Sequence, residues 1–170
     1  KKLVDASCEF MGGVDILINN AGITTNVPIE DITEDQFETL FNVNIKAQMF
    51  MTKLAAAEME KTGKGHIINI SSVHAFAGMT EHSIYAATKG AIVSFTREVS
   101  LELIQKGIRV NCIAPGWVHV ENQEMTLGED FDWEEETKVV PVGFASIPED
   151  IGNAALFLAS DASRFLVGQT

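Results

Sequence analysis

Tyr85 stands four residues ahead of Lys89 in the stretch HSIYAATKGAIVSF (82–95), and Ser72 stands thirteen residues ahead of Tyr85. On a helix, positions four apart are neighbours with a rise of about 6 Å, so an ammonium at 89 reaches the surroundings of a phenol at 85. One reading is a proton-transfer pair; the other is a snorkelling lysine beside a half-buried tyrosine. An ordinary tyrosine titrates near pH 10, too high for a base at neutrality. Lowering it by about three units needs roughly 4 kcal/mol of preference for the phenolate. A lysine charge a few Å away in a partly desolvated site supplies that, and a helix N-terminus adds a little. A substrate oxygen held by such a tyrosine needs a second hydrogen-bonding group, and Ser72 is spaced to be one. Tyr-x-x-x-Lys alone is a weak signal, so the surrounding elements have to decide.

Three short apolar runs, VDILIN (14–19), HIINI (66–70) and IRVNCIA (108–114), are nearly continuous rather than alternating. Such runs suit parallel strands buried on both faces. Between them the pattern predicts helices over 33–61, capped by Thr33, and over 83–106, opened by Ser83 and stopped by Gly107, with a further helix over 148–160. Strand–helix alternation of this kind gives right-handed βαβ units and an α/β layered fold. Ligands of such folds lie at the carboxyl ends of the strands. Here those ends read NNAG (19–22), Ser71–Ser72 and Pro115–Gly116, all small or polar. They are common turn residues, but three such ends on one sheet edge favour a site. On a helical wheel of 83–106, Ile84, Ala91, Phe95 and Val99 form a stripe that can face the sheet, with Val93 and Ile104 on the far side.

Composition narrows the function classes. A net charge of −12, from 24 acidic and 12 basic residues, argues against nucleic acid and anionic membrane partners. No apolar run has the length to span a bilayer. Two cysteines, Cys8 and Cys112, and four histidines, His66, His74, His82 and His119, form no metal-ligand spacing. The expectation is a reduced, cytoplasmic protein without a metal, its histidines in ordinary surface or loop roles.

The segments NNAG (19–22), NVN (42–44), NISS (69–72), YAATK (85–89) and NCIAPG (111–116) resemble the short-chain dehydrogenases/reductases. The stretch PEDIGNAALFLASDASRFLVGQT (148–170) is similar to that family's C-terminal part. The resemblance spans practically the whole chain. It implies a Rossmann-type doubly wound parallel sheet and an NAD- or NADP-dependent oxidoreductase acting on a small-molecule carbonyl or secondary alcohol, such as a sugar or polyol or a 3-oxoacyl compound. By the family pattern Tyr85 is the catalytic acid/base and Ser72 polarises the substrate oxygen. Lys89 lowers the tyrosine's pKa and holds the nicotinamide ribose. Asn44, chosen over Asn42 by the family register, anchors a water. Asn19 stabilises the sheet, Ala21 and Gly22 lie against the adenosine side of the cofactor, and Pro115, Gly116 and the Val118 backbone face the nicotinamide. A homotetramer or homodimer is expected from the same resemblance.

Two departures qualify it. The family's threonine four positions past the glycine of its Pro-Gly is Val120 here, and residues 117–146 fall where the family keeps a substrate lid. Within that lid, residues 121–136 hold 8 of the 24 acidic residues and no Lys or Arg, a pattern equally suited to a solvated surface or to polyol selection; Trp117 and Trp133 wall a pocket or pack the lid. No Gly-x-G-x-x-Gly turn occurs in the 170 residues. The chain is therefore expected to be the catalytic half of one incomplete domain (1–170), inactive by itself, with the pyrophosphate-binding half outside it. Two other readings remain at this point: a non-catalytic binding or scaffold protein on the same fold, and an epimerase or dehydratase that also uses Tyr-x-x-x-Lys.

Overall fold

The computed structural model describes residues 1–120, 132, 135 and 137–170. Strands β1 (Ile16–Asn19), β2 (Gly65–Ile70) and β3 (Ile108–Ile113) pair in parallel in the order β1-β2-β3. Asn19 lies beside Asn69, and Asn69 beside Cys112, so the three carboxyl ends finish almost level. Every residue of β2 is buried, as its unbroken apolar run requires of a central strand.

Helices α1 (Lys2–Met11), α2 (Glu34–Phe41), α3 (Ala47–Met59), α4 (Ser83–Ile104) and α5 (Pro148–Ala159) surround the sheet. Successive strand side chains point to opposite faces. Ile67 and Val110 therefore meet Ala55, Ala56 and Met59 of α3 and Leu103 of α4, while Ile68 and Ile70 meet Ala155 of α5. Helices on both faces of a parallel sheet make this the doubly wound, Rossmann-type α/β architecture. Ile16 and Ile18 of β1 remain about half exposed.

The helix expected over 33–61 is interrupted. Its start is as read: Thr33 accepts from the Gln36 N–H at 3.2 Å, and Gln36 accepts from the Thr33 N–H at 3.0 Å. Residues Asn42–Lys46 then form a π turn, in which the Ala47 N–H donates to the Asn42 carbonyl five residues back. The widened turn places Asn44 fully inside the protein.

The orientation of α4 corrects the wheel at Val93. Val93 is 8% exposed and packs with Ile45, Ile92 and Cys112. The expected stripe does pack inward in part: Ile84 is buried, Ala91 and Phe95 lie against the Cys112 cluster, and Val99 lies against that of Ile67 and Val110. Phe95 and Val99 also line an apolar groove of about 580 Å³ with Phe41, Met49 and Phe50. The reason is that α4 turns a largely polar stripe inward: Thr88, Lys89, Thr96 and Ser100 are all buried. Asn19 donates to Thr52 of α3 at 3.1 Å and to Asn69 at 2.8 Å, and Asn69 donates to Thr96 at 2.9 Å. This polar seam fixes the helix rotation, and an apolar wheel does not register it.

The C-terminal residues clasp β3. The Arg109 guanidinium donates to the carbonyls of Leu158, Ser160, Ser163 and Leu166 and to the Ser163 hydroxyl, at 2.8–3.4 Å. Asn111 donates to the Leu166 carbonyl at 2.9 Å, and the Cys112 N–H donates to the Gln169 carbonyl at 2.7 Å.

Candidate active site

The exits of the three strands converge on the N-terminal half of α4. After β1, the Ile23 backbone is held from both sides by Asn44: its N–H donates to Asn44 Oδ1, and Asn44 Nδ2 donates to its carbonyl, each at 2.8 Å. The second Asn44 N–H goes to Thr88 Oγ1 at 3.1 Å, so both amide protons are committed within the chain. Asn42, the rival position, accepts from Lys46 Nζ at 3.0 Å on the exposed side. The π turn makes the difference between the two.

After β2, Ser71 joins the strand to α4 by donating to the Lys89 carbonyl at 2.8 Å. Ser72 follows in extended backbone, 7% exposed, with its hydroxyl close enough to the Tyr85 phenol to lower its pKa and accepting from the His74 N–H at 3.3 Å. Lys89 Nζ donates to the Ile70 carbonyl at 3.0 Å and lies 5.5 Å from the centre of the Tyr85 ring. A Cβ on Gly22 would come within 3.4 Å of both Asn44 Oδ1 and Lys89 Nζ, so the glycine leaves an open cradle beside the ammonium. Ala21 is exposed next to it. After β3, the Pro115 carbonyl accepts from the Val73 N–H at 2.9 Å, and a Cβ on Gly116 would touch Val73. Val118 bridges Ser146, but the bonds are made by its neighbours: the Trp117 carbonyl accepts from the Ser146 N–H and the His119 N–H donates to the Ser146 carbonyl. Asn44, Ser72, Tyr85, Lys89 and Gly22 are thus brought together, with Pro115, Gly116 and Val118 along the adjoining loop. Asn19 lies beneath, its amide spent on the polar seam. Trp133 and the greater part of the acidic stretch 121–136 lie outside the described residues.

The electrostatics differ from the expectation in one respect. Burial drives Lys89 down to about 8. Tyr85 is raised above its usual value, because burial outweighs the lowering by the nearby Ser72 hydroxyl. The ammonium sits against the Ile70 carbonyl, and the lowering expected from the Tyr–Lys spacing is not supplied in this arrangement. Desolvation, which is invisible in a sequence, reverses the sign.

Lys89 makes a pH prediction. Its folded value of about 8 lies below its ordinary 10.5. Below pH 8 both states hold the proton and the cost of burying the charge stands in full. Between about 8 and 10.5 the unfolded chain holds more protons, so this group's penalty fades as pH rises through that window. The extra stability of Lys89→Met over the unsubstituted protein should shrink between pH 8 and 10.5 in urea unfolding. A constant difference would contradict the burial argument.

Two histidines were passed over by the reading of the sequence. The His74 ring meets the Tyr85 ring edge-on at 5.3 Å, and the His82 ring lies tilted against His74 at 4.8 Å. The available signal was position, two residues after Ser72 and three before Tyr85. No group of three His, Cys, Asp or Glu side chains gathers for a metal ion among the described residues.

Comparison with known proteins gives a consistent set. Residues 1–170 match the family model described as enoyl-(acyl carrier protein) reductase. The chain is 39% identical to galactitol 2-dehydrogenase of Agrobacterium fabrum, covering 99% of this chain and 70% of that protein. It is 42% identical to glucose and ribitol dehydrogenase of Daucus carota, covering 99% of this chain and 57% of that one. Among solved structures, a gluconate 5-dehydrogenase from Burkholderia cenocepacia in complex with NADP and tartrate superposes with a TM-score of 0.90 at 33% identity, covering 98% of this chain and 66% of that one. ElxO with NADP bound does so with a TM-score of 0.90 at 29% identity, covering 99% and 68%. The chain thus spans between 57% and 70% of the length of these relatives.

Proposed function

Because the chain belongs to the short-chain dehydrogenases/reductases, a family of NAD(P)-dependent oxidoreductases, we propose that Tyr85, Ser72, Lys89 and Asn44 are the working groups of a carbonyl reductase/alcohol dehydrogenase site. The observation that carries this is the convergence of Ser72 and Lys89 on Tyr85 at the end of β2. The residues present suit a nicotinamide cofactor, NAD or NADP. Lys89 spends one N–H on the Ile70 carbonyl and has two left for ribose hydroxyls, and Gly22 leaves room beside it. Pro115, Gly116 and Val118 line the nicotinamide side, and Ala21 and Gly22 the adenosine side. When bound, the cofactor supplies the hydride acceptor or donor.

The chain's own part is proton handling and positioning. Ser72 and Tyr85 hold the substrate oxygen between two hydroxyls, and Tyr85 gives its phenolic proton to a carbonyl oxygen or takes one from an alcohol. Lys89 steadies the phenolate formed when the proton leaves. Asn44 fixes the Ile23 backbone against α4, which keeps the loop after β1 from closing on Lys89. The small-molecule substrate is a sugar, polyol or 3-oxoacyl compound, in line with relatives named galactitol 2-dehydrogenase and 3-oxoacyl-[acyl-carrier-protein] reductase. The test is the absorbance of reduced nicotinamide with NAD and NADP against polyols, sugars and 3-oxoacyl thioesters. Turnover of at least one class supports the proposal, and cofactor binding without any turnover points to a non-catalytic homologue.

The working protein is a homo-oligomer, a tetramer or a dimer, in the cytoplasm. Met49 and Phe50, 46% and 56% exposed, flank the groove lined by Phe95 and Val99, and a second copy would cover them. The free thiols of Cys8 and Cys112 suit a reducing compartment. Light scattering should report a dimer or tetramer at micromolar concentration, and Phe50→Glu should shift it toward monomer.

A further inference from the structure

Glu81, which leads into α4 just ahead of Tyr85, has a backbone φ of 66°. Among the described residues it is the only one besides glycine with a positive φ, and glycines hold every other such position. A β-carbon makes this left-handed region costly for any L residue, and glutamate lacks the short side chain that lets asparagine offset the cost. Backbone of this kind persists where surrounding contacts hold it, and it gathers at functional sites. The contact here belongs to the main chain: the Val27 N–H donates to the Glu81 carbonyl at 2.8 Å. The Glu81 side chain is exposed.

That bond fastens the far end of the loop after β1. The near end is held by Asn44, which grips the Ile23 backbone and reaches Thr88 of α4. At the far end Val27 is buried beside Ile84 and Tyr85 and tied to the residue that enters α4. Gly22, with Lys89 Nζ beside it, lies on the same loop. The loop is thus fastened twice to the helix that carries Tyr85 and Lys89, and the two fastenings are unequal. Asn44 makes three hydrogen bonds without backbone strain. At Glu81 a single hydrogen bond returns about as much as the left-handed backbone costs, so this end opens locally. We propose that Glu81 is a positioning residue for the nicotinamide cofactor: its left-handed backbone holds the loop after β1 in the form that binds, and the strain at this one position leaves part of the protein with the fastening open. This rests on the assignment of Ala21 and Gly22 to the cofactor. Apparent affinity falls with the fraction of protein in the binding form, so relieving the strain tightens cofactor binding and increasing it loosens binding.

The test uses the full protein carrying this chain, unsubstituted and as Glu81→Gly, Glu81→Gln and Glu81→Val. Deuterium exchange of the Val27 amide reads the fastening, calorimetric titration with NAD and NADP reads the Kd, and kcat is measured at saturating cofactor. Glycine should slow Val27 exchange roughly fivefold and lower the Kd about twofold. Valine, whose branched β-carbon is a poor fit to the left-handed region, should abolish the protection of that amide and raise the Kd roughly fivefold. Glutamine keeps the backbone preference and drops the charge, so it should match the unsubstituted protein in both. In all three variants kcat should stay within about twofold, since the proton transfer at Tyr85 is untouched. Equal Kd or equal Val27 exchange for glycine and valine would overturn the proposal. A glutamine variant that moves the Kd as far as valine does would also overturn it, because the carboxylate would then be the acting group. A fall in kcat at unchanged Kd would do the same. Should Glu81→Val fail to fold, glycine and glutamine against the unsubstituted protein still decide. An unsubstituted protein that binds neither cofactor would remove the cofactor reading and this proposal with it, whereas binding indifferent to residue 81 would remove this proposal alone.

Discussion

Tyr85→Phe is expected to lower kcat at least about a hundredfold while leaving the fold intact. The substitution removes one hydroxyl, the group that faces Ser72 and carries the only proton the phenol can transfer. General acid–base catalysis of this kind is worth about 10²- to 10⁴-fold. The ring itself packs beside Val27, Leu40 and Ile84, and phenylalanine keeps those contacts. Circular dichroism and the melting temperature should therefore move little. A variant retaining more than about a tenth of the original kcat would place the proton transfer elsewhere. The raised Tyr85 pKa adds a direction. At neutral pH the phenol keeps its proton and is ready to donate, so carbonyl reduction should proceed near pH 7, and alcohol oxidation should climb as the pH rises toward the phenol's own range.

Arg109→Leu should be the most damaging single change to stability. Arg109 is 7% exposed, and its guanidinium serves four carbonyls and a hydroxyl at the end of α5 and beyond. Leucine fills part of the volume but removes five charge-assisted hydrogen bonds, although each carbonyl keeps another donor: the Ser163 hydroxyl for Leu158 and Ser160, the Leu166 N–H for Ser163 and Asn111 for Leu166. A total of about 3–5 kcal/mol is expected, from several bonds to a charged donor worth about 1.5–3 kcal/mol each, offset by the cost of burying the guanidinium. For a domain of this size that is a fall of roughly 10 °C in melting temperature. Arg109→Lys should recover little, because a single ammonium cannot fork to both Leu158 and Ser163 as the planar guanidinium does. A fall of less than about 3 °C for the leucine variant would show that the C-terminal clasp holds without it.

The legible parts of this molecule were those written in local chemistry. Unbroken runs such as HIINI announce a strand covered on both faces, and the structure buries every residue of β2. Thr33 announces a capped helix start, and in the structure it accepts from the Gln36 N–H while the Gln36 side chain accepts from the Thr33 N–H. Ser72, Tyr85 and Lys89 could be singled out because residue type and spacing were sufficient to suggest a shared site. Long-range burial decided the rest. The rotation of α4 is set by Thr88, Lys89, Thr96 and Ser100 turning inward, polar residues that an apolar wheel counts as solvent-facing. The direction of the Tyr85 shift depends on desolvation, which has no local signature. His74 and His82 look ordinary in a histidine count, and only the packing of α4's first turn brings their rings onto Tyr85.

The π turn at Asn42–Lys46 also bears on how the chain tolerates insertion and deletion. A π turn carries one residue more than the α-helical turn it replaces, so α2 and α3 are out of phase by one residue, about 100° of rotation. Leu40 before the turn is buried among Val27 and Ile84, while Ala55, Ala56 and Met59 after it are buried against the sheet. Deleting Val43 would restore a regular helix and bring the two halves into phase. One half would then have to swing its buried side chains toward solvent, and Asn44 would leave the loop after β1. A point substitution at Val43 leaves this offset in place. The turn is thus a phase shifter, most sensitive to a change in the number of residues it contains.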